Sequence, residues 1–301
     1  MMRRREMLRT TAAAALGGAA FSVNRIARAG RGRQRVLYFT RNVGYYHSVV
    51  QRDGDALSHS ERTLVDLGKR IGVEVVCSKD GRLFDGDLEQ YDAFAFFTNN
   101  DLTVSNERNE PPMSIAGKQR MLDAIAAGKG FIGFHSSCAC WRTPGETFAN
   151  SAAVDPFIAM IGGEFVAHGP QQQATMRVAS PKFPGVTTLG ESFRLYDEWY
   201  ALKNFARDLH VILVQETAGM AGECYRRPPF PSTWARRHGN GRVFFTSMAH
   251  RENVWVEPPF TQIALGGLSW VLGNVECDVS PNMDSVTPDA SRLKHSPTPQ
   301  R

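Results

Sequence analysis

Four histidines carry the chemistry that this sequence offers. His47 lies in "TRNVGYYHSVV", His135 in "GKGFIGFHSSCACW", His168 in "GGEFVAHGP" and His250 in "TSMAHREN", each just after a short apolar run. Neutral imidazole binds divalent cations and also gains or loses a proton near neutral pH. Such a set therefore suits either metal binding or general acid–base work. "RLYDEWY" adds Asp197 and Glu198 between aromatic residues, where a carboxylate is costly unless partnered. With Glu198 the set has the mixed nitrogen and oxygen character of a site for zinc or a similar cation. His59, His210, His238 and His295 fall on a helix, before a strand, in a turn and near the chain end, and are set aside.

Two motifs point to other chemistry and fail on context. "GKGFIG" (128–133) satisfies G-x-G-x-x-G literally, but it runs from a helix end into a strand. A dinucleotide fingerprint runs from strand to helix, so no nucleotide cofactor is expected. "GFHSS" (133–137) stands where a nucleophile elbow would, with His135 in the nucleophile's place and Ser137 in that of the closing glycine. Ser136 or Cys138 stays open as an alternative nucleophile. Cys138 and Cys140 form a lone Cys-x-Cys, which reads better as two small buried residues than as a metal site. Five cysteines at irregular spacing, Cys77 and Cys224 and Cys277 included, are no disulfide framework.

The elements that must position these groups are legible as apolar runs and helical periods. "RVLYFT" (35–40), "VEVVCS" (73–78), "AFAFFTN" (93–99) and "GFIGFH" (130–135) are runs without strict alternation, as in strands covered on both faces. Leu57, Leu64, Leu67 and Ile71 repeat at helical spacing before Gly72, and Ile115, Leu122 and Ile125 do so before Gly128. Strand, helix and strand in this order predict an α/β fold: a doubly wound, mostly parallel sheet with helices on both faces. "QQQATMRVAS" (171–180) alternates as a half-exposed strand. "HVILVQE" (210–216) and "GRVFFTSM" (241–248) are apolar strands, and Phe260, Ala264, Leu268 and Val271 line a last helix. Ligands of such sheets bind beyond the carboxyl ends of the strands, which is where the four histidines fall.

Charge excludes one class of partner. Residues 1–29 hold six Arg and one Glu, a net of +5, which equals the +5 of the whole chain; the remaining 29 basic and 29 acidic residues cancel. The basic balance belongs to the leader, and no nucleic-acid partner is expected. That leader reads as a twin-arginine signal peptide over 1–29: Arg4 and Arg5, an Ala/Gly-rich segment, then Ala27-Arg28-Ala29 as a small-x-small cleavage pattern. Its apolar part is too short to span a bilayer of ~30 Å, so no stable membrane insertion is expected after removal. The expected location is periplasmic or extracellular, with the twin-arginine export machinery as partner. One domain is expected over 30–275, and the Pro/Ser-rich residues 276–301 are expected to be a disordered tail.

Taken in order, "TRNVGYYHSV", "GFIGFHSS", "IGGEFVAHGPQQQATMRV", "RLYDEWYAL", "GNGRVFFTSMAH" and "FTQIALGGLSWVLG" resemble the trehalose-utilisation-like (ThuA-like) family over roughly residues 35–273. The resemblance implies the class I glutamine-amidotransferase-like, flavodoxin-like fold. The elbow that elsewhere carries a catalytic Cys reads His135-Ser136 here, so glutaminase activity is not implied. The family's recurring positions map onto His47, His135, His168, Glu198 and His250. Departures are Gln171 to Gln173, where a second His is frequent, the insertion "RNEPPMS" (108–114), and the Cys138/Cys140 pair.

The resemblance implies carbohydrate metabolism, with a disaccharide, glycoside or 3-keto-sugar as the small-molecule substrate. The leading expectation is a metal-assisted hydrolase, lyase or isomerase. His47, His135, Glu198 and His250 are its catalytic candidates, and His47, His135, His168 and His250 its candidate ligands for a divalent ion. Tyr46, Ser136 and Trp199 are its candidate substrate contacts, with Tyr45, Trp141 and Tyr200 as further aromatic faces for a sugar ring. The alternative is a non-catalytic sugar-binding or assembly module that kept the fold and lost the chemistry.

Overall fold

Strands with no polar side chain to spare must be covered on both faces, and the central strands are. The computed structural model describes residues 32–293. The signal-peptide reading of 1–29 lies outside the described residues, as do residues 294–301 of the expected tail. β1 (Arg35–Phe39), β3 (Ala93–Phe96) and β4 (Gly130–Phe134) are buried almost throughout. With β2 (Glu74–Ser78) and β11 (Gly241–Thr246) they form the parallel half of a nine-stranded sheet, in the order β2-β1-β3-β4-β11. β10 (Phe230–His238), β9 (His210–Gln215), β6 (Gln172–Val178) and β7 (Ser192–Asp197) continue it antiparallel. β5 (Glu164–His168) and β8 (Tyr200–Lys203) form a separate antiparallel pair in which His168 faces Tyr200 in register.

The sheet is doubly wound, as the order of runs implied, and the fold is α/β of flavodoxin-like type with an antiparallel extension. α1 (His59–Arg70) touches α4 (Pro258–Val271), while α2 (Ile115–Ala127) touches α3 (Pro156–Ile161). Gly267 of α4 lies against the ring of Phe244, whereas Phe157 of α3 packs on Phe131, the register partner of Val243. Neighbouring residues of a strand point to opposite faces, so the two helix layers lie on opposite sides. α1 starts at His59 and not at Leu57, because the Ser58 hydroxyl accepts from the Glu61 backbone while the Glu61 carboxylate accepts from that of Ser58. β3 stops at Phe96, short of the apolar run, where the chain turns into Thr98, Asn99 and Asn100. Among the described residues no helix is long and apolar enough to cross a membrane.

The disordered-tail expectation is corrected for residues 276–293. Asn282 accepts from the backbone of Val211 at 2.6 Å and donates to its carbonyl at 3.2 Å. A short helix, α5 (Met283–Val286), follows, and Met283, Ala290 and Leu293 are buried. The buried Arg227 guanidinium donates to the carbonyls of Leu202 and Ala290. Three isolated apolar anchors have no period, which is why the docking left no pattern to read. Truncation after Val275 is expected to lower stability by about 3 kcal/mol or more, because it exposes apolar surface and strips Arg227 of a buried acceptor. A thermal melt of the truncated chain matching that of the full chain would refute the docking.

Candidate functional site

The parallel strands deliver their carboxyl ends to one rim, and three of the four histidines meet there. His135 follows β4 at the first residue of a 3-10 turn (His135–Ala139) with φ +41, a left-handed conformation rare for a side chain with Cβ. The turn is tight enough that a Cβ on Gly133 would sit 2.6 Å from the Ser137 hydroxyl, so glycine is needed there. His135 is fully buried, and its Nδ1 lies 2.8 Å from the carbonyl oxygen of Ser247. A carbonyl can only accept, so Nδ1 carries a hydrogen and Nε2 is left to face the cluster.

His250 is placed by the loop after β11. The buried Asp197 carboxylate accepts from the backbone N–H of Ala249 at 2.8 Å and of Arg251 at 3.2 Å, and Trp255 donates to the Ala249 carbonyl. Ala249, at φ +99, is a second strained residue beside the cluster. His47 sits on the loop after β1, which is stapled from several sides. The buried Arg41 guanidinium donates to the carbonyls of Leu102, Val104 and Glu110. The Asn99 side chain accepts from Val43 and donates to Tyr45. Arg52 pairs twice with the buried Glu61, which also accepts from Thr40 at the end of β1.

Glu198, between β7 and β8, closes the group. His47, His135, Glu198 and His250 are all buried, and each offers a ligand atom within 4.8 Å of the others. His250 Nδ1 lies 3.2 Å from Glu198 Oε1 and 3.3 Å from His135 Nε2, and His135 Nε2 lies 3.6 Å from Glu198 Oε1. Corners of a tetrahedron with bonds near 2.0–2.1 Å are about 3.3–3.4 Å apart, which is the scale of these separations. His47 Nδ1 is buried with no hydrogen-bond partner, and His47 Nε2 is 3.5 Å from the Tyr200 hydroxyl. The donor set fits a divalent cation.

The electrostatics follow from burial and from these neighbours. Burial alone would raise the Glu198 carboxyl, but hydrogen bonds and charge from His135 and His250 outweigh it and hold it well below the usual carboxylate range. Burial, then the neighbouring His135 and His250, push His47 well below the ordinary imidazole value, so it is neutral. Burial raises Asp197.

The remaining candidates separate by position. His168 is 45% exposed at its side chain and lies outside the compact group; its Nδ1 is 3.5 Å from Glu198 Oε2. Of the expected ligand candidates, His168 is therefore the one that the compact group leaves out, while Glu198 lies within it. Trp199 is fully buried, with its indole N–H bound to the Gln172 carbonyl, and it offers no face to a sugar. Ser136 is fully buried, and its hydroxyl has no partner. Tyr46 turns away from the site. Its phenol donates to Glu110 and Arg108 stacks 4.0 Å over its ring, so it belongs to the insertion. Cys138 is buried, its thiol pushed up by burial and bonded to the His135 carbonyl, which removes it as a nucleophile.

Beside the cluster opens a cleft of about 360 Å³, within the range that small ligands occupy. Tyr45, Phe165 and Tyr200 supply aromatic walls, Asn100 and Arg142 polar ones, and His47, His168 and Glu198 form its reactive side. Phe165, Arg142 and Asn100 were not among the expected contacts. They reach the cleft from within β5, from the connection after β4 and from beyond the end of β3, and nothing in their spacing announces it.

A family profile described as "ThuA: Trehalose utilisation" matches residues 35–271. A putative ThuA-like protein from Parabacteroides merdae superposes with a TM-score of 0.57 at 16% identity, covering 82% of this chain and 93% of its own. One from Bacteroides uniformis gives a TM-score of 0.55 at 17% identity, covering 81% and 94%. At these identities the superpositions establish the fold alone. No curated protein matches at a significant level.

The depressed values of His47 and Glu198 predict two pH windows in metal-stripped protein. Unfolded His47 takes up a proton that the folded site refuses, so stability falls as pH drops below about 6.5. Glu198 adds stability above its unfolded value, and that part is lost as pH drops below about 4.3. Denaturant midpoints against pH should show the first slope reduced in His47→Gln and the second reduced in Glu198→Gln. Slopes unchanged in both variants would contradict this assignment.

Proposed function

The chain belongs to the ThuA, trehalose utilisation, family, and from that premise we propose that it is an exported enzyme of carbohydrate metabolism assisted by a divalent cation. The cation is held within the His47, His135, Glu198 and His250 group, and the observation that carries the reading is that these four buried residues bring candidate ligand atoms within 4.8 Å of one another beside a cleft. The substrate class is a disaccharide, glycoside or 3-keto-sugar, and the reaction a hydrolysis, elimination or isomerisation. When bound, the cation polarises a carbonyl or hydroxyl oxygen and eases proton loss beside it.

The protein's own groups supply the rest. Tyr45, Phe165 and Tyr200 offer apolar faces to a sugar ring, and Arg142 and Asn100 offer hydrogen bonds to its hydroxyls. Glu198, ionised at the cleft wall, is a ligand or a base. Neither Ser136 nor Cys138 is reachable, which disfavours covalent catalysis from the elbow. The same lack of a nucleophile motivates a binding-only reading; calorimetric sugar binding without turnover in the metal-loaded protein would establish it instead.

Elemental analysis of purified protein is expected to find close to one divalent ion per chain. His135→Ala and Glu198→Gln should each lower metal affinity by about 100-fold, and turnover of keto-sugar glycosides should fall with it. Both variants retaining full metal content and activity would overturn the assignment. Export is tested separately: Arg4→Lys with Arg5→Lys should retain the protein in the cytoplasm, and unchanged fractionation would reject the twin-arginine route.

A further inference from the structure

His135 and His250 face the same carboxylate, yet their outer nitrogens meet partners of opposite polarity. His135 Nδ1 is directed at a carbonyl oxygen, that of Ser247. His250 Nε2 is 3.0 Å from the side-chain nitrogen of Gln171, in the turn between β5 and β6. Which end of that amide faces the ring is decided by its other neighbour. Arg251 Nη1 bonds to Gln171 Oε1, and a guanidinium can only donate. Arg251 is itself held, its Nε donating to Asn253 Oδ1 at 3.0 Å and its guanidinium lying 5.2 Å over the Tyr196 ring. The oxygen of Gln171 must therefore face Arg251, and its NH₂ must face His250.

An amide NH₂ has hydrogens and no available lone pair, so His250 Nε2 is the acceptor. The hydrogen of the neutral ring then sits on Nδ1, the atom 3.2 Å from Glu198 Oε1 and 3.3 Å from His135 Nε2. A nitrogen that carries a hydrogen cannot ligate a cation. For Nδ1 to do so, the hydrogen must move to Nε2, where it meets the Gln171 NH₂. Turning the amide over to relieve that contact sets its NH₂ against Arg251. Both arrangements oppose two donors.

We propose that Gln171, oriented by Arg251, is a positioning residue that fixes the hydrogen of His250 on Nδ1. His250 is thereby a hydrogen donor to Glu198 and not a cation ligand, and His47, His135 and Glu198 form a three-ligand site. Three protein ligands with a free position are the pattern of catalytic rather than structural zinc sites. The ligand half of this inference rests on the metal reading above; the position of the hydrogen does not.

Long-range proton–nitrogen correlation spectra of the metal-stripped, ¹⁵N-labelled chain read the ring hydrogens directly. The expected pattern is a protonated Nδ1 and bare Nε2 on His250. Gln171→Glu, a carboxylate that accepts from Arg251 and from the ring, should place a hydrogen on Nε2. By competition with a chelating dye, Gln171→Glu should bind zinc about 10-fold or more tightly, as an outer carboxylate does for a ligating histidine. His250→Ala should change wild-type affinity by less than about 3-fold, against about 100-fold for His135→Ala, and should erase the gain of Gln171→Glu. A wild-type His250 with its hydrogen on Nε2, or one whose loss matches that of His135, overturns the proposal. Should zinc bind none of these proteins, the metal reading falls and the ring spectra still decide the rest.

Discussion

An ionised carboxylate taken out of water must be met by donors, and at Glu198 that requirement organises the whole rim. Burial alone would neutralise the group, and it stays charged only because His135 and His250 are aimed at it. Each of those imidazoles comes from a different strand end. The relevant geometry therefore depends on the register between β4 and β11, where Phe134 pairs with Thr246. A slip of one residue would carry His135 away from the Ser247 carbonyl and leave the carboxylate without one of its partners. The sheet thus stabilises the site less by adding contacts than by fixing where the two strands end.

Much of this was legible before any coordinates. His47, His135 and His250 each follow a parallel strand whose apolar run marks it as covered on both faces, and ligands of such sheets bind where those strands end. Glu198 stood out because carboxylates between aromatic residues need partners. Those readings use the chain's period and its exceptions, and both are local. That Glu198 and not His168 joins the compact group was not legible. Both follow strands, but His168 leaves the β5–β8 pair toward solvent, and only that pair's placement beside the main sheet shows it.

Trp199 and Ser136 show the same limit from the other side. Each is a neighbour of a site residue in sequence, and each is buried. Along extended chain, successive side chains alternate in direction, so Glu198 facing the cleft sends Trp199 into the core, where its N–H finds the Gln172 carbonyl. In the turn after β4, His135 adopts a left-handed φ and reaches the cluster, whereas Ser136 is buried with its hydroxyl unpartnered. Adjacency in sequence is poor evidence of shared function at strand ends. The residues that do line the cleft, Tyr45 and Phe165 and Tyr200, come from three separate segments.

Two imidazoles directed at one carboxylate need not have one role, and what separates them here lies outside the cluster. A backbone carbonyl behind His135 holds a hydrogen on its outer nitrogen, so its inner nitrogen, which donates to Glu198 in the metal-free site, can offer a lone pair once it gives its own hydrogen up. A side-chain amide behind His250 puts a hydrogen on the inner nitrogen instead. The carbonyl is fixed by the sheet, because Ser247 N–H donates to Ser232 on β10, whereas the amide depends on the side chains of Gln171 and Arg251. The half of the site built on main chain is therefore a property of the fold. The half built on Gln171 is open to change by one substitution.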